Sequence, residues 1–404
     1  MVLFELLHTN RYQKRKSDLN NTNTLLGQML DFISRSQFQK LAKLHETEKG
    51  AKGFSSWAHF TTMLFAQLSG QSGLRSIEDG INQQQSSLYH LGISSAVKRS
   101  TIAYANEHRD ARLFEDLFYA VLETVPVKEQ KHGFKFKNPL YSIDATTIDL
   151  CLKLFPWADF RETKGGIKLS IKLDHRGKIP CFAVISNARK HESQDLLNIP
   201  LNTGDIVAFD RGYNHYEYFA KLCKRSIYFV TRIKSNAVYT VVSKNDTGKS
   251  SRILSDEIIE LNGFYAHKDC PFYLRKIVSY DPDTNKTIEI LTNHLQWAAS
   301  TIAAIYKDRW QIELFFKAIK QNLKIKRFYG TSKNAVHTQI WIALISYLLF
   351  CILKFTTKAA RSFTCFISVF PTVAFQRRSL FDWFSESPPP IMSFLESSGQ
   401  LELI

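Results

Sequence analysis

Leu140-Tyr-Ser-Ile-Asp-Ala-Thr-Thr-Ile-Asp149 is a β-rich run with an acid near its centre. Its apolar and β-branched residues predict a strand that carries Asp144 within it. Further on, Gly166-Ile-Lys-Leu-Ser-Ile-Lys-Leu-Asp174 alternates apolar and polar residues, the pattern of a half-exposed strand. Asp174-His-Arg-Gly177 then predicts a hairpin turn, and Ile179-Pro-Cys-Phe-Ala-Val-Ile-Ser186 the returning strand. Gly204-Asp-Ile-Val-Ala-Phe-Asp210, followed by Arg211-Gly-Tyr213, is an apolar run closed by an acid. It predicts a buried strand that delivers a carboxylate at its tip.

A third acid lies on a helix predicted over Ile305–Lys320. Tyr306, Arg309, Glu313 and Lys320 stand at offsets of 0, 3, 7 and 14. At roughly 100° per residue they fall within about 60° of arc and span about 21 Å. Beside them Ile305, Ile312, Phe316, Ile319 and Leu323 form an apolar stripe, so one edge anchors the helix and the next presents charge. A carboxylate in a row with two cations and a phenol suits a surface that grips a polyanion around a metal. A solvated face of mixed charge is the plainer alternative. With Asp144 and Asp210 the set offers three hard oxygen donors, enough with phosphate and water for Mg²⁺, for which Mn²⁺ can substitute. Of two such ions, one would activate a water or 3′-hydroxyl and the other stabilise the leaving oxygen.

These residues carry a resemblance. Tyr306, Arg309, Glu313 and Lys320 match, without a gap, the Y-x2-R-x3-E-x6-K signature of DDE transposases of the insertion sequence four family of bacterial mobile elements. Asp210-Arg-Gly-Tyr213, Leu291-Thr-Asn293 and Tyr306-Lys-Asp-Arg-Trp-Gln-Ile-Glu-Leu-Phe-Phe-Lys317 are similar to that family as well. The likeness extends roughly from Gly53 to Lys354. Ala318 departs from it, where a larger residue, often Trp, is expected, and so does the Phe-rich tail containing Pro388-Pro-Pro390. The resemblance implies cut-and-paste transposition, with Asp144, Asp210 and Glu313 as the catalytic and metal-binding residues. It implies that Tyr306, Arg309 and Lys320 contact phosphates near the scissile bond. The implied partner is double-stranded DNA, as element inverted repeats and target, with a homodimer in the synaptic complex and a DNA hairpin intermediate. A strand with an Asp, then antiparallel strands, then an acid-tipped strand also resembles an RNase H-like fold. The expected class is therefore α/β: an RNase H-like catalytic core interrupted by a β-rich insertion, with an N-terminal helical DNA-binding region.

Composition agrees. A net charge of +16 over 404 residues points to a polyanionic partner, nucleic acid or anionic membrane. The chain has no basic amphipathic anchor for the second. With 44% hydrophobic residues and 30 Phe it can bury a large core. The apolar stretch Ile340 to Leu353 is shorter than the roughly 18 residues a bilayer span needs and is expected as a buried core helix. Met1-Val-Leu-Phe-Glu-Leu-Leu7 is too short and too acidic for a signal peptide. The six cysteines form no Cys-x-x-Cys pair; they argue against structural zinc and suggest mostly buried free thiols in a reducing cytosol, which the resemblance implies is a bacterial cytoplasm.

The expected organisation is a helical DNA-binding region over 1–127, catalytic core over 128–226, a β-rich insertion over 227–298, core again over 299–354, and a tail over 355–404. Residues 1–50 are polar and basic, a surface arm or, through Arg11, Lys14, Arg15 and Lys16, a DNA-gripping one. Phe54–Leu68 is a helix with a Ser cap option, Ser69–Gly73 a break, and Leu74–Ile81 the start of the next helix. Ser95–Asn106 has the form of a turn feeding a recognition helix. It places Lys98, Arg99, Ser100 and Thr101 for phosphates or base edges; an ordinary small helical domain is the alternative. Residues 128–138 form a basic linker. Strands are expected at 227–233, 237–242, 272–278 and 287–292, within the 102 residues that separate Asp210 from Glu313. That distance is too long for a simple crossover. Trp297 and Trp310 are expected in the core, with stacking on a flipped base as the alternative. Lys164, Lys168, Lys172, Arg189, Lys190 and His191 are expected as solvated charges, collectively able to line a DNA path. Two rivals remain on sequence grounds: a divalent-metal nuclease of the same fold, and a domesticated or inactive sequence-specific DNA-binding protein.

Overall fold

The computed structural model describes residues 23–386, apart from 162–163, 190–198, 248–251 and 283. Helices come first: α1 (Leu25–Leu30), α2 (Arg35–Leu44), α3 (Ser56–Leu68), α4 (Leu74–Asn82), α5 (Gln85–Leu88), α6 (Arg99–His108) and α7 (Arg112–Leu122). A sheet region follows, with β1 (Leu140–Leu150), β2 (Asp159–Arg161), β3 (Lys164–Asp174), β4 (Ile179–Asn187), β5 (Ile206–Phe209), α8 (Tyr216–Lys224) and β6 (Tyr228–Arg232). It continues with β7 (Tyr239–Lys244), β8 (Ile253–Leu261), α9 (Phe264–Asp269), β9 (Leu274–Asp281) and β10 (Lys286–Thr292). The chain then returns to helix: α10 (Ala299–Asp308), α11 (Gln311–Asn322), α12 (Lys333–Thr357), α13 (Phe363–Val373) and α14 (Leu380–Ser385). The result is a mixed α/β architecture with a large sheet and N-terminal helices.

The sheet runs β2-β3-β1-β5-β6-β10-β9-β8-β7, with β4 also paired to β3. β1, β5 and β6 are parallel and the remaining pairs antiparallel. The hairpin expected at 174–177 joins β3 to β4, with Gly177 at φ +80, where glycine has no Cβ penalty. The strand expected at 227–233 is β6, hydrogen-bonded to β5; β10 pairs with its other edge. The β-rich segment after it is therefore an extension of the same sheet.

β3 differs from its expected half-exposure. It lies between β1 and β4, so neither edge is free. Ile167, Leu169, Ile171 and Leu173 enter the main core, while Lys168, Ser170 and Lys172 are buried on the opposite face. Lys168 and Lys172 are thus not solvated charges. Lys172 Nζ donates to the Pro200 carbonyl at 2.6 Å and lies 4.5 Å from the Tyr141 ring centroid, which compensates its burial. Arg189 is exposed; Lys190 and His191 lie outside the described residues.

α12 is the spine of the helical side. Ser332 caps it by accepting from Ala335 N, and it ends at Lys358, whose φ is +55. Apolar residues surround it on every face, as a helix enclosed by others requires. It is long and apolar enough to cross a membrane, yet 78% of its apolar window is buried inside the protein. The expectation of a core helix holds, with polar residues at its start extending it beyond the apolar stretch.

α3 is capped by Ser55, which accepts from Ala58 N at 3.1 Å, and is buried throughout. Residues after Leu25 are not a polar arm: all six of α1 are buried. Gln28 Nε2 donates to Arg378 O at 2.7 Å, and its Oε1 accepts from Leu380 N at 2.8 Å. Arg11, Lys14, Arg15 and Lys16 lie outside the described residues. Of the cysteines, Cys270 and Cys351 are buried and Cys151 is exposed, so burial is less general than expected.

One buried polar group in α3 gives stability a pH dependence. His59 is fully buried, its ring 2.7 Å from Asn106 Oδ1. Burial, with Arg109 adding to it, pushes the imidazole down to about 3. Its folded pKa lies below the ordinary 6.5, so the contribution is complete above 6.5 and lost as pH falls towards 3. Between pH 7 and 5 the loss is about 2 kcal/mol. In urea denaturation at the two pH values, His59→Gln should lose less stability than wild type. Equal losses would remove His59 as the cause.

Candidate active site

Strand register brings the two aspartates together. Ile143 pairs with Phe209 across the parallel β1–β5 ladder, so Asp144 and Asp210 are the next residues on neighbouring strands. Adjacent strands lie about 5 Å apart. Alternation also gives them one face. Leu140, Ile206 and Ala208 pack towards the cluster that contains Ile302, Ile305 and Tyr306 of α10, whereas Tyr141, Ile143, Val207 and Phe209 pack against Phe219 of α8. Asp144 and Asp210 share the parity of the first set and therefore project to the α10 side. A 3-10 turn, Arg211–Tyr213, follows Asp210, and Tyr213 donates its hydroxyl to Asp144 Oδ1 at 3.5 Å. Asn214 fastens this turn to β6, donating to Arg232 O at 2.7 Å and accepting from Thr231 Oγ1 at 3.0 Å.

The helix expected over Ile305–Lys320 is broken. α10 ends at Asp308 and α11 begins at Gln311. Arg309 and Trp310 keep right-handed helical dihedrals, but Trp310 N bonds to Lys307 O and Ile312 N to Arg309 O, three residues back. This tightening to 3-10 geometry turns the helix at the site. The row of side chains survives the turn. Arg309 Nη2 donates to Glu313 Oε1 at 2.7 Å, and the Arg309 guanidinium lies 5.6 Å from the Tyr306 ring centroid. Lys320 reaches β1, donating to Thr146 Oγ1 and, at 3.2 Å, to Thr147 O. Trp310 is 58% exposed at the turn, against the expectation of a core residue, while Trp297 is partly buried and stacks on Phe136 at 4.4 Å.

The electrostatics link the strand tips to the helix. Burial works against the charge on Arg309, but Glu313, Tyr306 and Asp144 more than offset it and hold the guanidinium charged. Burial lowers Lys320, helped by Lys326 and opposed by Asp149 and Asp144. Burial raises Tyr306, with Asp210 adding and Arg309 opposing. Beside Asp210 an open cleft of about 320 Å³ is lined by Arg211, Gly212, Lys234, Ser235 and Asn236.

Asp144, Asp210, Tyr306, Arg309, Glu313 and Lys320 thus come from residues far apart in sequence into one region. Among the described residues, no three His, Cys, Asp or Glu side chains are grouped closely enough to hold a metal ion. Glu313 is held by Arg309 instead. Its other oxygen, Oε2, is buried with no hydrogen-bond partner, as is Arg309 Nε. An unsatisfied buried carboxylate oxygen is a hard donor with a free lone pair, which fits a divalent cation. Lys98 and Arg99 stand apart, exposed at the start of α6 in the helical region. Thr146 was not singled out from sequence, and Tyr213 entered only as the end of the Asp210-Arg-Gly-Tyr213 motif, without a role. Their signal was present, since Tyr213 closes the turn after Asp210 and Thr146 follows Asp144 by two on the same strand face.

A family model described as a transposase DDE domain matches residues 135–349, more than half of the chain, and a domain of unknown function matches 21–94. A putative transposase of Sinorhizobium fredii is 32% identical over 72% of this chain and 80% of its own length. A probable insertion-sequence transposase of Geobacillus stearothermophilus is 26% identical over 68% and 72%. A putative one of Synechocystis is 28% identical over 64% and 73%. Among solved structures, the match to a piggyBac transposase in a synaptic complex with hairpin DNA covers 90% of this chain and 80% of that one, at a TM-score of 0.44 and 11% identity. From the extent of the domain match and the identity to the first of these relatives, the chain belongs to the DDE transposase family.

Proposed function

We propose that this transposase excises and inserts an insertion sequence by cut-and-paste, cleaving DNA at inverted-repeat ends and joining the freed ends to target DNA. The observation that carries the reading is the placement of Asp144 and Asp210, each one residue beyond the paired Ile143 and Phe209, on the sheet face covered by α10. This order, with β3 antiparallel to β1, β4 antiparallel to β3, and β5 and β6 parallel to β1, supports an RNase H-like core interrupted after β6.

Asp144, Asp210 and Glu313 would hold the divalent cations, Mg²⁺ or Mn²⁺. Bound there, such ions supply activation of the attacking hydroxyl and neutralisation of the leaving oxygen. The chain's own cations position the phosphates. Arg309 can fork two phosphate oxygens once it leaves Glu313, and Lys320 acts as a point charge beside β1. Tyr306 offers a hydroxyl on the same face, and the exposed Trp310 a stacking surface for an unpaired base. The cleft lined by Arg211 and Lys234 lies next to Asp210 and suits the DNA backbone. A homodimer would pair the two element ends.

The test is nicking of a labelled duplex that carries the flanking inverted repeat. Cleavage should appear at the repeat end in Mg²⁺, cease with EDTA and return with Mn²⁺. Specific binding without cleavage in either metal would favour an inactive DNA-binding protein.

The helical region, residues 1–127, is proposed as the part that reads the repeat. Lys98 and Arg99 open α6 with exposed side chains, the position from which a helix N-terminus meets phosphates. Replacing both with Ala should lower the slope of log affinity against log salt by about 2, one phosphate contact each. An unchanged slope would place the contact elsewhere.

A further inference from the structure

We infer that His175 is a positioning residue that fixes the separation between the strand carrying Asp144 and the corner carrying Arg309 and Glu313; this rests on the reading of the carboxylates given above. His175 follows β3 in the hairpin to β4, and its side chain is 1% exposed. Its Nδ1 lies 2.6 Å from Asp308 Oδ2, and its Nε2 lies 2.7 Å from Ser142 Oγ. Ser142 precedes Asp144 by two on β1 and shares its face. Asp308 ends α10 and is followed directly by Arg309. One hydrogen-bonded chain therefore runs from one half of the site to the other.

The chemistry of each member defines the link. Ionised Asp308 can only accept, so Nδ1 carries a proton and donates it; Nε2 and the Ser142 hydroxyl share the next hydrogen. Burial would raise the Asp308 carboxyl, but hydrogen bonds from His175 and Gln311, with Lys178 nearby, outweigh it and hold the group below its ordinary range. Asp308 also accepts from Gln311 Nε2 at 3.1 Å, so it bridges the break between α10 and α11. Ser142 is fully buried, which excludes it as a nucleophile for any substrate.

The corner needs such a tie because it lacks regular helical bonds. Trp310 and Ile312 bond three residues back, and Trp310 is exposed. The post to which it is tied is firm. His175 N donates to Leu140 O at 3.0 Å, and Tyr347 of α12 donates its hydroxyl to Lys178 O at 3.1 Å. The hairpin that carries His175 thus connects the corner both to the sheet and, through Lys178, to the helical core.

The experiment compares wild type, Asp308→Ala, Asp308→Asn, His175→Asn and Glu313→Gln, each bound to the repeat-end duplex. Mn²⁺ binding is followed by the electron paramagnetic resonance of the free ion, and single-turnover cleavage is measured against Mg²⁺ concentration. Asp308→Ala should weaken Mn²⁺ binding and raise the Mg²⁺ half-saturation by about tenfold or more, with DNA affinity unchanged. Asp308→Asn keeps an acceptor for Nδ1 and should stay close to wild type. His175→Asn, whose short side chain cannot bridge both partners, should match Asp308→Ala. Asp308 is partly exposed, so its variants test the tie even if the His175 variant does not fold. Wild-type metal affinity in Asp308→Ala, or equal losses in the Ala and Asn variants, would overturn the inference. Failure of the carboxylate reading looks different: wild type would bind no Mn²⁺, or Glu313→Gln would bind it as well as wild type.

Discussion

Glu313→Gln should lower single-turnover strand cleavage by about 10³-fold or more while leaving affinity for the repeat-end duplex intact. The substitution keeps the shape of the side chain and removes its charge. Gln can still accept from Arg309 through its amide oxygen, so the contact made at 2.7 Å has a successor. What is lost is the anionic Oε2, the buried oxygen without a partner. The side chains of Arg309 and Glu313 are 12% and 26% exposed, and loss of this partly buried pair should cost about 1–3 kcal/mol, too little to unfold the protein. Cleavage kinetics, fluorescence anisotropy on the duplex and a urea curve together separate the outcomes. Cleavage at the wild-type rate would take Glu313 out of the chemistry. Loss of binding with loss of folding would make it a structural residue.

Removing the chain from Lys358 onward should abolish cooperative unfolding altogether. Phe363, Phe366, Phe370, Leu380, Phe381, Trp383 and Phe384 are all buried in the main core. Phe350 of α12 has ring centroids of Phe363 at 5.0 Å, Phe366 at 5.5 Å and Phe384 at 5.9 Å. Each such side chain contributes about 2 kcal/mol by burial, so their joint loss rivals the 5–15 kcal/mol by which domains are stable. The truncated chain would also expose the apolar flank of α12. The milder variant Phe366→Ala should cost about 3–5 kcal/mol in urea denaturation. A truncated protein with a native melting transition would show that the described part of 355–404 is an accessory.

Local patterns made the strands and long helices legible. The β-rich run at 140–149, the acid-tipped strand before Arg211, the hairpin at 174–177 and the cap at Ser55 are each specified by residues a few positions apart, and each forms as expected. The parallel register that aligns Asp144 with Asp210 is not local. It depends on the pairing of β1 with β5, more than sixty residues on, and only the donor chemistry of the three acids and the resemblance to a known family suggested that the two aspartates meet. The burial of Lys168 and Lys172 escaped for the same reason: alternation along β3 is unchanged whether water or protein covers the second face. The break at Arg309–Trp310 has no Pro or Gly to announce it and is imposed by contacts made on both sides. The tail was opaque because its Phe residues lack a pattern of their own; their partners are on α12.

The contact of α1 with the α14 region has a consequence in time. Gln28 waits for a carbonyl and an amide that lie 350 and 352 positions further along the chain. At a ribosomal pace of about 5–20 residues per second, that interval is about 20–70 s. During it the first helix has apolar residues and no seat, and α12, once made, lacks its aromatic cover. Completion of the core thus coincides with the end of translation of the described chain. Shortened translation products would be ready targets for proteolysis and would not persist as partial, DNA-occupying competitors of the finished enzyme.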